Sequence, residues 1–233
     1  MDRVTRKELK SDKFALEVQH SVQFVTGHRQ MLLRWGAIAA AAVLVVAAVY
    51  LYLRHQGGLR QEAFQAAQRI EDATVGPAQN EFTMTFATQP EKDKAADKAW
   101  SDLIAKYNGS QEAVIAQFYL GGHAAEKGNL TEAAKRFQIV IDDGGANYAA
   151  LAKLSLADIY SSQGKVSDAK KLVQTVIDHP TATVSKEQAI IALARILAPT
   201  DPQAARKLLE PLRSSDRAAV SRQALTAISE LPK

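Results

Sequence analysis

Side chains able to do chemistry are few in this chain, and their spacing does not assemble them. A metal site needs several His, Cys or carboxylate ligands converging on one point. The chain has no cysteine, and His20 and His28 lack an acidic or thiol companion placed to complete a set. His123 stands in a run of small residues and His179 precedes Pro180, so each reads as a structural or incidental histidine rather than a general base. Nucleophile and phosphate motifs are missing too. There is no Gly-x-Ser-x-Gly and no His-Glu-x-x-His, and "QGKV" at 163–166 lacks the upstream glycine and the following Ser/Thr of a phosphate loop. These residues predict no enzyme, no cofactor and no metal.

What the sequence does repeat is a helix. "GNLTEAAKRFQIVI" at 128–141 returns as "GKVSDAKKLVQTVI" at 164–177. Ala133, Ala169 and Ala205 are spaced by 36 and 36, and four residues after each comes Phe137, Val173 or Leu209. The preceding segments carry Leu120, Leu156 and Leu193, spaced by 36 and 37, each followed by a small residue, Gly121, Ala157 or Ala194. Small residues let paired helices approach closely, large ones fill the space to the next pair, and Gly128 and Gly164 suit the tight turn between helices. With 47% hydrophobic residues but only 6% aromatics and abundant alanine, the composition favours packed helices over a sheet.

This pattern is similar to the tetratricopeptide repeat, whose signature has Leu-Gly, a Tyr three residues on, then Ala-x-x-x-Phe and a late Pro. Departures are visible: the aromatic before each Leu is replaced by Gln117, Lys153 and Ile190, and only Tyr160 keeps the tyrosine. Pro180 is well placed, whereas Pro211 should end the third second-helix early, and Ser185 with Gln188 forms a capping box at the start of the third first-helix. Upstream, "EAFQAAQRIEDA" and "KAADKAWSDLIAKY" read as a further degenerate pair, with Trp100 standing 37 residues before Phe137, joined by a long link over 75–90. Residues 216–231 read as a closing helix.

Between Arg34 and Arg54 runs "WGAIAAAAVLVVAAVYLYL", 19 residues without a charge. At the helical rise this covers roughly 28 Å, about the hydrocarbon thickness of a bilayer. Trp35, Tyr50 and Tyr52 sit at its ends, where amphipathic rings prefer the headgroup region. The 34 residues before it are too long and too polar for a signal peptide. They carry seven Lys/Arg against four Asp/Glu, an excess that predicts a cytoplasmic leader and an exported remainder. Within them Phe14, Val18, Val22 and Val25 form one apolar stripe, the pattern of a helix lying on the bilayer surface or docking a partner. Residues 54–233 hold 22 basic against 21 acidic side chains with signs interleaved, so no basic stripe for nucleic acid is expected.

The predicted fold is therefore all-α, a single N-terminal transmembrane helix followed by a degenerate tetratricopeptide-like α-solenoid. The expected divisions are a leader over 1–34, a span over 35–53, a membrane-proximal helical pair with its connector over 54–112, and repeats with a capping helix over 113–233.

This plan resembles the YfgM-like ancillary SecYEG translocon subunits of bacteria. The resemblance implies a single-pass inner-membrane protein with its repeats in the periplasm, a protein-binding adaptor in secretion or envelope folding. Its implied partners are translocon subunits, a periplasmic chaperone and nascent or unfolded polypeptide, with the bilayer contacted through 35–53. The alternative is a structural or assembly subunit of another large membrane complex, for example an energy-transducing one. The repeat resemblance also implies which side chains face the inner groove: Phe118, Leu151, Leu154, Gln188 and Ile191, with Asp158, Ser161, Ser162 and Arg195 beside them. The apolar members would either bind polypeptide or pack between repeats. Asp158 and Arg195, at equivalent positions of adjacent repeats, would form a mutual ion pair or a polar handle for ligand. No paired Lys/Arg and Asn are present to clamp a carboxylate.

Overall fold

The structure, a computed structural model, describes residues 29–77 and 84–232. The leader's apolar stripe, His20 and His28 lie outside the described residues. The chain divides into two compact units, Met1–Gly58 and Leu59–Lys233.

Helix α1 spans Arg29–Glu71. In the first unit it carries the uncharged run, and no residue of its most apolar stretch is buried among the described residues. Trp35, Val43, Leu44, Val46 and Leu51 are each at least 60% exposed, so this apolar surface has no cover among the described residues. It is a helix long and apolar enough to cross a membrane.

The second unit is the expected α-solenoid. After the end of α1 come α2 (Gln89–Lys106), α3 (Gln111–Glu126), α4 (Leu130–Asp143), α5 (Gly145–Ser162), α6 (Val166–Asp178), α7 (Lys186–Leu197), α8 (Pro202–Leu209) and α9 (Ala218–Ser229). From α2 to α8 each helix packs on the next, and α3, α5 and α7 also touch in series, as the first helices of successive repeats must. Short polar residues start the helices by taking an otherwise orphaned backbone N–H. Thr88, Ser110, Asn129 and Asp201 each accept from the amide three residues on, and Ser185 and Gln188 make the anticipated reciprocal box. Gly128 and Gly164 turn the backbone between paired helices with φ of 76° and 75°, a region that other residues enter at a cost. As Pro211 requires, α8 stops at Leu209 and passes into a short 3-10 turn, Glu210–Ser214.

The small and large positions do what their spacing predicts. Ala133, Ala157, Ala169, Ala194 and Ala205 are all 0% exposed, and Phe137, Val173 and Leu209 are buried beside them. Gly121 lies so close to Phe137 that a Cβ there would stand 2.9 Å from the ring. Trp100, with Ala96 four residues before it, is buried in the same way in the pair formed by the end of α1 and α2. The one departure from all-helical structure among the described residues lies in the connector. Thr74–Val75 and Thr85–Phe86 pair as a two-residue parallel bridge, β1 and β2, closed by Thr74 N–H donating to Met84 and Gly76 N–H to Phe86.

Candidate protein-binding face

The residues expected on the inner face come from α3, α5 and α7. On α5, Leu151, Leu154, Asp158 and Ser161/Ser162 recur at helical spacing and so share one side of the helix, as do Gln188, Ile191 and Arg195 on α7. Burial sorts them. Ile191 is 3% exposed and packs the core, and Leu151 and Leu154 are half-buried against the same cluster. Phe118 is half-buried among aromatics, its ring centroid 5.6 Å from Phe137 and 5.8 Å from Tyr148. Gln188 is exposed, but its side-chain oxygen accepts the Ser185 N–H at 2.8 Å, which ties it to the capping box. Ser161 is half-buried, while Asp158, Ser162 and Arg195 stand exposed. Each stripe is thus apolar where it enters the core and polar where it opens.

Asp158 and Ser162 line a cleft of about 350 Å³ between α3 and α5. Gly122 and Ala125 of α3, Leu130 and Phe137 of α4, and Ser155 and Ile159 of α5 complete its wall. Asp158 is exposed by area, yet the surrounding protein replaces enough of its hydration to raise its carboxyl pKa, an effect that the more distant Arg195 guanidinium only partly offsets. The anticipated ion pair is absent: the pairs formed among the described residues do not join Asp158 to Arg195. Equivalent positions on adjacent first helices are separated by a helix-packing distance of roughly 8–10 Å, which two side chains must both stretch to close. Ser162 Oγ donates to the Ile159 carbonyl at 2.7 Å, and Asp158 receives no hydrogen bond from described residues.

A second polar cluster, absent from the sequence reading, joins the end of α1 to α2 and α3. His123 Nε2 meets Glu71 Oε1 at 3.1 Å, and its Nδ1 meets Asp97 Oδ1 at 2.7 Å. Lys127 pairs with the other Asp97 oxygen, and Trp100 Nε1 donates to Glu71 Oε2 at 2.8 Å. The Glu71 hydrogen bond foremost, then that of Asp97, hold the imidazolium against the opposing effect of burial, raising the His123 pKa from 6.5 to about 9. Burial works to raise both carboxylates, but hydrogen bonds from His123 and Trp100 to Glu71, and from Lys127 and His123 to Asp97, outweigh it and leave both lowered. With both ring nitrogens engaged, His123 is a charged tie between helices. Among the described residues no group of three or more His, Asp or Glu is arranged to hold a metal ion. The partners lie 26 and 52 residues from His123 in sequence, so no local spacing signals them.

No curated protein matches this sequence. No solved structure matches it either. A family model does match, over residues 30–188, from the start of the apolar helix into α7. The chain belongs to the tetratricopeptide repeat-like domain family.

Proposed function

We propose that the protein is a membrane-anchored adaptor that binds other proteins through the α3–α5–α7 side of its repeats, ancillary to a secretory translocon of the YfgM-like type. Its fold is one that typically serves as a non-catalytic scaffold for protein–protein interaction. The observation that carries the anchored reading is the uncovered apolar surface of residues 35–53, continuous in one family-matched range with the repeats. Exposed to water, such a surface would drive aggregation; a bilayer covers it. In this reading residues 1–34 are cytoplasmic, 54–112 form the membrane-proximal pair, and 113–233 present the binding face in the periplasm of a bacterium. The partners are translocon subunits, a periplasmic chaperone and emerging polypeptide.

The test is affinity purification from native membranes with photo-crosslinkers at Ser162 and Arg195, both exposed. Substoichiometric capture of translocon, chaperone and unfolded polypeptides is expected. Stoichiometric recovery with one other membrane complex would replace this reading by that of a structural or assembly subunit. A reporter fused after Lys233 that works only in the cytosol would overturn the orientation.

A further inference from the structure

We infer that the cleft beside Asp158 takes a lysine or arginine side chain of a bound, extended polypeptide; this rests on the adaptor reading above. The wall offers one carboxylate, two hydroxyls at Ser155 and Ser162, and apolar surface from the half-buried Ala125 and Leu130, floored by the buried Phe137 and Ile159. No cationic side chain lines it. That combination matches a long basic side chain, whose methylene stem lies on apolar surface while its head seeks an anion. Asp158 receives no hydrogen bond from the described residues and has lost hydration to its surroundings, so a donor entering the cleft meets a carboxylate that gains by being paired. Arg195 is the cation felt by Asp158, but no ion pair joins them, so the carboxylate stays available. The absence of a cation in the wall excludes an acidic side chain or the terminal carboxylate of a peptide as the favoured occupant.

The experiment uses the full-length protein in detergent micelles and fluorescein-labelled peptides of alternating Ser and Leu. They differ only at one central residue: Lys, acetyl-lysine, Gln or Glu. Anisotropy titration is expected to show the Lys peptide binding about tenfold more tightly than the acetyl-lysine and Gln forms, the size of one charge-assisted hydrogen bond. In Asp158→Asn the Lys peptide should fall to the Gln level while the Gln peptide is unchanged, and Asp158→Glu should retain the preference. The comparison of Lys with acetyl-lysine needs no variant and stands even if a substitution unfolds the protein. Equal binding of all peptides, or tighter binding of the Glu peptide, overturns the inference and leaves the adaptor reading intact. If no peptide binds and the crosslinkers at Ser162 and Arg195 also capture nothing, both fall.

Discussion

Gly121 and Gly122 are neighbours in α3 with opposite surroundings, so one methyl group added at each should have opposite effects. A Cβ at Gly122 meets nothing within 4 Å, whereas at Gly121 it stands 2.9, 3.1 and 3.3 Å from Cε1, Cδ1 and Cζ of Phe137. Replacing a helix-interior glycine by alanine gains about 1 kcal/mol in helix propensity at either site. Gly122→Ala should keep that gain. At Gly121 the ring must move, yet Phe137 is 3% exposed in a packed cluster, and forcing an extra carbon into such a core costs about 1–3 kcal/mol. The net for Gly121→Ala is a loss of about 0–2 kcal/mol, and the two variants should differ by roughly 1–3 kcal/mol. Urea unfolding in mild detergent, followed by circular dichroism at constant m-value, measures the difference. Adding Phe137→Leu should rescue the Gly121→Ala variant relative to its effect alone. Equal stabilisation by both alanines would refute the close approach of α3 and α4 on which the repeat geometry rests.

The His123 tie gives a pH signature. Because its pKa is raised from 6.5 to about 9, its stabilisation is complete below 6.5 and is lost as pH rises through 9. At about 1.4 kcal/mol per pH unit this is at most about 3 kcal/mol, and the urea midpoint of wild type should fall over that window while that of His123→Gln falls less. Glu71 and Asp97 are lowered, so their share is present above the ordinary carboxylate range and disappears on acidification below it, which the same titration reads at its acid end. Ser185→Ala removes one half of the α7 capping box and should cost about 1 kcal/mol, and because residue 185 keeps the backbone N–H that Gln188 accepts, Gln188→Ala should add a further loss. Trp100→Ala empties the centre of the α1–α2–α3 core and takes the donor from one Glu71 oxygen, so a loss of about 3–5 kcal/mol is expected in thermal unfolding.

The solenoid was legible because stacking demands a small residue and a large one at fixed places in every unit, and Ala133, Ala169 and Ala205 with Phe137, Val173 and Leu209 leave a periodic trace. Caps and the end of α8 were legible for a local reason: Ser185, Gln188 and Pro211 act on their own backbone. The His123 cluster left no trace, since its members come from three helices and each side group is unremarkable beside its own neighbours. The Asp158–Arg195 pairing failed for the reverse reason: equal register in adjacent repeats makes two residues correspond without bringing them into contact. On the proposed binding face the helical spacing identified the side of the helix, but only packing reveals that Ile191 serves the core while Asp158 faces the cleft. The parallel bridge of β1 and β2 rests on two residues a strand; the alternating "FTMTF" at 82–86 runs into β2, but nothing comparable marks β1.

The protein holds two tryptophans, and their surroundings make them independent optical probes. Trp35 is 66% exposed on the apolar helix, so its emission follows whatever solvent or lipid surrounds that helix. Trp100 is 0% exposed, stacked on Tyr119 at 4.4 Å and hydrogen-bonded to Glu71, so its emission follows the integrity of the repeats and of the His123 tie together. Trp35→Phe therefore leaves a fluorescence reporter of the repeats alone, and Trp100→Phe one of the apolar helix's surroundings alone. Within one polypeptide, the surroundings of the apolar helix and the assembly of the solenoid become separately observable without any label.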